Sequence, residues 1–206
     1  MPKAGIKYGK RIQGPDYAQI AKDAKKAVLK ALGLDRPEDL VAKTRPEDLV
    51  VRAADIVRQA DAEIALHVDE RDQALAHLWF YEQRLGLAGT VGLSPMGYRQ
   101  NLAKTVFGDK KRPLPDAESN EELIRAAEEL GVQRVENAEE KLLETNMIVT
   151  KARERRDVAV RYMQEAVLAL SRSPYNWKPE KIAEHADVTR DLVYKQRATA
   201  RKRHGL

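Results

Sequence analysis

The stretch PEDLVVRAADIVRQADAEIALHVDERDQALAHLWFYEQRL, residues 46–85, predicts one long amphipathic helix. Apolar side chains recur in it every seven residues, with a companion row shifted by three places, which is the pattern of a helix packed against another helix. We call such a pair of rows a seam, and its many alanines favour a helical bundle over a tight coiled coil. The first row of this seam is Val50, Val57, Ile64, Arg71, Leu78 and Leu85, and the companion row is Ala53, Ala60, His67, Ala74 and Tyr81.

A second seam begins 85 residues further along the chain. An arginine interrupts both seams at the same step, Arg71 in the first and Arg156 in the second. Because an apolar row must be covered, we expect the helices to associate through the seams, including self-association of the protein. The sequence leaves pairing within one chain and pairing between chains open. The row of the second seam is Val135, Leu142, Val149, Arg156, Met163 and Leu170.

The composition also indicates a helical protein. Charged residues make up 33% of the 206 residues and aromatic residues only 5%, which disfavours β-sandwiches and barrels. The lack of cysteine excludes disulfides, thiolate nucleophiles and cysteine-ligated metals. No apolar stretch reaches the roughly 20 residues of a membrane span, and residues 1–11 lack a signal peptide's apolar core. We therefore expect a soluble, cytoplasmic protein with no membrane partner.

Three helix beginnings are predicted before the first seam. Pro15 to Leu32 has one apolar side and is followed by Gly33, which predicts a short N-terminal helix. Segments 36–41 and 45–50 both read RPEDLV. Proline and two acidic residues favour the first turn of a helix, so each segment is interpreted as a helix start.

Basic residues are concentrated at the two ends of the chain and in one central run, KKR at 110–112. The net charge is only +5, but the first eleven and the last twelve residues contain no acidic residue. Residues 1–14 are interpreted as a basic flexible arm. Basic ends favour an anionic partner such as nucleic acid, and the alternative is that they only keep the protein soluble.

The segment KPEKIAEHADVTRDLVYKQRATARKRHG, residues 178–205, has the pattern of a helix-turn-helix unit. A first helix is predicted from Pro179, with the small residue Ala183 where the second helix crosses closely. Asp187 tolerates the left-handed backbone that the turn requires. Thr189 is then the N-cap of the second helix.

A second such unit is predicted near 85–107, because this segment aligns with the first without gaps when Gly92 is set against Asp187. Ser94 then matches Thr189 as an N-cap, and Pro95 follows at the first helical position. Its spacing from the seam is ten residues shorter than in the other copy. The first helix of this unit is therefore interpreted as a continuation of the long helix.

With two such units, each behind a seam, the chain resembles tandem helix-turn-helix DNA-binding proteins of actinobacteria, their phages or their plasmids. The resemblance implies a recognition helix in the major groove of double-stranded DNA, with basic tails on phosphates. The residues expected at DNA are, in the later unit, Thr189, Arg190, Tyr194, Lys195, Arg197, Arg201, Lys202 and Arg203, and in the earlier unit Ser94, Arg99, Gln100, Lys104, Lys110 and Lys111.

Catalytic signals are weak. The four histidines lack metal-ligand spacing, and His67, which shares a helix face with Glu63, lies in the seam. The glycines between 86 and 97 lack the Gly-Lys-Ser/Thr of a phosphate loop, so nucleotide binding is not expected. We expect no enzyme, no catalytic residue, no metal and no cofactor.

These observations predict an all-α fold of two long amphipathic helices, each followed by a helix-turn-helix unit, plus the short N-terminal helix. After the arm, residues 15–114 form the first helical half and 115–206 the second, with its helix-turn-helix near 179–203. The expected function is DNA binding, as a transcriptional regulator or an architectural, bridging factor associated with the nucleoid. The alternative is a helical scaffold, or a phage or plasmid assembly protein for packaging or partition, acting through the seams.

Overall fold

The computed structural model describes residues 5–34 and 44–206, and it confirms the all-α class, with 69% of these described residues helical. Two very short strands, β1 (Gly9–Arg11) and β2 (Arg84–Leu85), pair in parallel. The helices in the described residues are α1 (Tyr17–Leu32), α2 (Pro46–Phe80), α3 (Leu87–Thr90), α4 (Pro95–Phe107), α5 (Asn120–Glu129), α6 (Ala138–Leu170), α7 (Pro179–Ala186) and α8 (Arg190–Arg203).

The second RPEDLV segment begins α2, as expected from its sequence. Pro46 is the first helical residue, and Glu47 and Asp48 lie in the first turn, where negative charge suits the helix dipole. The first RPEDLV segment, residues 36–41, lies outside the described residues.

Helix α2 ends at Phe80, five residues before the end of its predicted seam. Gln83 adopts a left-handed backbone with φ 48°, which an α-helix does not accept. Its side-chain amide donates a hydrogen bond to the Phe80 carbonyl, one of the acceptors that a helix end leaves open. Leu85 consequently lies in β2 and is 37% exposed.

The chain divides into two compact units that are discontinuous in sequence. The first unit combines the described residues up to Tyr17 with Ala65–Val149, and the second combines the described residues of Ala18–Ile64 with Thr150–Leu206. These units do not coincide with the sequential halves 15–114 and 115–206. The reason is that α2 and α6 both contribute to each unit, so distant parts of the chain share one core.

In the first unit the two seams pack against each other. Ala74 and Leu78 of α2 share a buried cluster with Leu142 of α6 and Leu102 of α4. Ile12, only 3% exposed, joins the same cluster directly after β1. Residues 9–12 of the predicted flexible arm therefore form a strand and a core contact.

In the second unit the seams also pair within the chain, with the helices antiparallel. Arg155 of α6 forms an ion pair with Glu63 of α2, and Arg156 Nε lies 2.6 Å from Asp61 Oδ1. The buried residues of this core include Val28 and Leu32 of α1, Val50 and Ala53 of α2, Met163 and Leu170 of α6, Ile182 of α7 and Val193 of α8.

The two seam arginines differ in their surroundings. Arg156 reaches across the seam to Asp61. Arg71 is only 1% exposed and instead binds Asp72, its neighbour on the same helix.

No helix in the described ranges 5–34 and 44–206 has the length and apolar character that crossing a membrane requires.

Candidate nucleic-acid interface

Helices α7 and α8 form the helix-turn-helix unit expected near 179–203, which we call the C-terminal motif. Asp187 ends α7 with φ 52° and ψ 55°, the left-handed conformation that the turn needs. The Thr189 hydroxyl then accepts a hydrogen bond from the Leu192 backbone N–H and caps α8. Ala183 and Val193 are buried where the two helices meet, so the motif has one inward and one outward side.

The outward side of α8 is strongly basic. The side chain of Val193 and that of Ala200 are fully buried, whereas the residues between them are mostly exposed. Because one apolar side of α8 is held by its own unit, the opposite side is exposed to solvent. The cations on that side are Arg190, Lys195, Arg197, Arg201 and Lys202, with Arg197 half-buried and the others exposed.

Tyr194 contacts two arginines, Arg190 and Arg197, on the outward side of α8. Arg190 Nη2 donates a hydrogen bond to Tyr194 Oη at 3.1 Å. The guanidinium carbons of Arg190 and Arg197 each lie 5.3 Å from the centre of the tyrosine ring, within cation–π range. Arg190 Nε also lies 2.9 Å from Glu180 Oε1. The hydrogen bond to Tyr194, with the Glu180 charge, raises the pKa of Arg190 above its ordinary value.

The last turn of α8 contains one cation that is already paired. Arg203 Nη1 donates to Glu165 Oε1 at 2.7 Å, and its Nη2 donates to Gln164 Oε1 on α6. By contrast, the side chains of Lys195, Arg201 and Lys202 have no ion-pair partner among residues 5–34 and 44–206. Of the basic residues expected at DNA here, these three are the most available.

Helices α3 and α4 form the earlier unit, which we call the central motif. Gly92, the counterpart of Asp187, has φ 66°, and Ser94 caps α4 by accepting a hydrogen bond from the Gly97 N–H. The first helix of this motif does not continue α2, because β2 and Gly86, with φ 83°, come between them. Helix α3 is therefore a separate single turn.

The expected DNA-contacting residues of the central motif are exposed but not on one open face. Ser94, Arg99, Gln100, Lys104, Lys110 and Lys111 are all exposed. Four of them line a cleft of about 980 Å³ in the first unit: Arg99, Gln100, Lys110 and Lys111. The other walls of this cleft include the N-terminal residues Ile6, Tyr8 and Arg11 and the segment 110–117. Arg99 and Gln100 of α4 thus face a walled space, whereas Ser94 and Lys104 lie outside it.

Tyr98 occupies the position in α4 that Val193 occupies in α8. Its hydroxyl is buried and has no hydrogen-bond partner in the described part of the chain. Burial raises the pKa of Tyr98 well above that of an exposed tyrosine, and the nearby positive charge of Arg99 opposes this only in part. The phenol is therefore neutral in the folded protein.

A basic surface on α1 is not among the residues predicted from the sequence. It lines a second cleft of about 480 Å³ in the second unit, together with Leu29 and Leu34. The signal was present in the sequence, because the lysines recur at intervals of three and four residues and share one face of a helix. The residues are Lys22, Lys25, Lys26 and Lys30.

Glu63, considered above with His67, is engaged in its ion pair with Arg155. Within residues 5–34 and 44–206, no three histidine or carboxylate side chains converge as a metal site would require.

Comparisons of the chain with protein-family models, with curated proteins and with solved structures found no match.

Proposed function

We propose that the protein binds double-stranded DNA through the C-terminal motif, with α8 in the major groove. The observation that carries this proposal is the division of α8 into a buried side, with Val193 and Ala200, and an outward side with five cations. A helix of this kind, held across a shorter helix by a tight turn, matches the geometry of helix-turn-helix recognition.

The outward residues divide into two groups by their place along α8. Thr189, Arg190, Tyr194 and Lys195 belong to the first turns, which reach base edges in such motifs. Arg201 and Lys202 lie in the last turn, where phosphate contacts position the helix without reading sequence. Arg197 packs on the Tyr194 ring and supports the first group.

The DNA-binding proposal assigns the protein to transcription regulation or to an architectural role at the nucleoid. It rests on one DNA-binding surface, because Arg99 and Gln100 of α4 face a walled cleft. It needs no self-association through the seams, since the seams pair inside the chain in each unit.

A salt titration tests the proposal. Fluorescence anisotropy on labelled genomic duplexes is measured with the full chain and with the double variant Lys195→Ala/Lys202→Ala. We expect binding that weakens steeply with salt, with a slope of about 0.9 per phosphate contact on a log–log plot, and a smaller slope for the variant. Lys151→Ala, an exposed lysine on α6, is the matched control. No binding to any duplex at about 50 mM salt would favour the scaffold or assembly alternative.

A further inference from the structure

The cleft of the first unit, about 980 Å³, has no role in the proposed DNA contact. Of the residues that the structure describes, six cationic residues and one carboxylate, Asp116, line it. Two of the cations are already engaged. Arg84 forms ion pairs with Glu82 and Glu139, and the guanidinium carbon of Arg112 lies 4.5 Å from the centre of the Phe107 ring.

Four cations remain available to a ligand. Arg11, Arg99, Lys110 and Lys111 have no ion pair with any residue that the structure describes. Like charges gathered around one concave space repel each other, and a multiply charged anion placed between them removes that repulsion. The cleft is therefore complementary to a polyanion.

The remaining walls of the cleft are aromatic and apolar. Trp79 and Tyr8 line it together with Leu87 and Leu123. Trp79 is fixed in orientation by an edge-on contact with Phe80, whose ring centre lies 4.3 Å away. An indole or phenol held in place offers a stacking surface to a flat ring. A ligand that uses both kinds of wall has a flat, weakly polar part and a polyanionic part.

We infer that this cleft binds a nucleoside polyphosphate. Its volume is that of a small-molecule pocket rather than of a surface for a duplex. The phosphates lie against Lys110, Lys111 and Arg99, and the base lies against Trp79. Cationic side chains replace the phosphate loop, which the sequence lacks.

Gly89 makes the inference testable without removing any cation. It lines the cleft, its backbone is not left-handed, and a Cβ built there would have no atom within 4 Å. Gly89→Glu therefore places a carboxylate in the cleft without a clash at Cβ. Gly89→Ala adds a methyl group only and is the matched control.

Isothermal titration calorimetry of the full chain with ATP, GTP, adenosine and inorganic triphosphate is the experiment. We expect ATP or GTP to bind, and Gly89→Glu and the double variant Lys110→Ala/Lys111→Ala each to weaken binding about tenfold or more. Gly89→Ala and Lys104→Ala leave the affinity unchanged, since Lys104 is exposed on α4 outside the cleft. Circular dichroism on each variant checks that it is folded.

Three outcomes would overturn the inference. The first is that neither nucleotide binds at about 1 mM, the weak end of specific affinity. The second is that inorganic triphosphate binds as tightly as the nucleotides, which would remove the base from the site. The third is that duplex DNA displaces the nucleotide from the wild-type chain but not from the Lys195→Ala/Lys202→Ala variant. This result would mean that the nucleotide and DNA share the C-terminal motif, and that the nucleotide is not bound in the cleft.

Discussion

Arg203 and Glu165 form a hydrogen-bonded ion pair, 2.7 Å from Nη1 to Oε1, that anchors the end of α8 to α6. His204 Nε2 lies 2.8 Å from the other oxygen of the same carboxylate. The run Arg201-Lys202-Arg203 therefore contains two kinds of basic residue. Arg203 stabilises the position of α8, whereas Arg201 and Lys202 point their charge into solvent.

The salt dependence of DNA binding separates these two kinds. Arg201→Ala and Lys202→Ala should each lower the log–log salt slope by about 0.9, because each removes one phosphate contact. Arg203→Ala should leave the slope nearly unchanged and lower the midpoint of urea unfolding, because α8 then loses the ion pair between Arg203 and Glu165 and the hydrogen bond to Gln164. Anisotropy at several salt concentrations and urea titrations measure both. Equal slopes for all three variants would contradict the division.

Lys195 should contribute to sequence preference. It is exposed in the second turn of α8 and has no ion pair within the described ranges, whereas Arg190 is shared with Glu180. Lys195→Ala should weaken binding to a selected site by about 1–3 kcal/mol if its ammonium reaches a base edge, and binding to random duplex much less. Competition assays with both duplexes measure the difference. A uniform loss on both duplexes would assign Lys195 to phosphate.

The local structure of both motifs could be predicted from sequence because it depends on nearby residues. Ser94 and Thr189 are N-caps, and Gly92 and Asp187 have the left-handed backbone, as their residue types and spacing indicate. A cap or a turn is determined within four or five residues. Such features are readable from a single sequence.

The division into units and the cleft could not be predicted in the same way. A heptad pattern says that a helix face is covered but does not identify what covers it, so the seam of α2 gave no indication of its pairing with α6. The cleft assembles Tyr8, Trp79 and Lys110, which are far apart in sequence. Only the tertiary fold brings these residues together.

The buried charge in the first seam should be essential for stability. Arg71 Nε and Nη2 donate to Asp72 Oδ1 at 2.8 and 2.6 Å, and Asn101 of α4 donates to Asp72 Oδ2 at 2.9 Å. Asp72→Asn leaves the buried guanidinium without a counter-ion and should lower the free energy of unfolding by about 3–5 kcal/mol. Asp69→Asn, on an exposed position of α2, is the control in the same urea titration. If Asp72→Asn lowers the free energy of unfolding no more than Asp69→Asn does, the ion pair between Arg71 and Asp72 does not stabilise the protein.

Tyr98→Phe should stabilise the protein by about 1 kcal/mol near neutral pH, because it removes a buried hydroxyl that has no partner. Burial raises the pKa of Tyr98, so only the unfolded state releases this proton as the pH rises above about 10. Below that pH the ionisation of Tyr98 does not change the stability, and above it the wild type loses stability progressively because ionisation favours the unfolded state alone. The variant should lose less stability than the wild type between neutral and alkaline pH. A parallel decline in urea titrations of both proteins would contradict this.

Residues 115–206, although they contain the whole C-terminal motif, should not fold alone. The second unit draws Leu32, Leu49 and Val50 from the earlier part of the chain, and each is at most 1% exposed. Exposing one such side chain costs about 1.5–3 kcal/mol, so losing several exceeds the stability of a typical domain. The fragment should show no cooperative urea transition and no DNA binding, and mixing it with residues 1–114 during refolding should restore both. The opposite result, a fragment that unfolds cooperatively and binds DNA as the full chain does, would mean that α1 and the start of α2 are dispensable to the second unit.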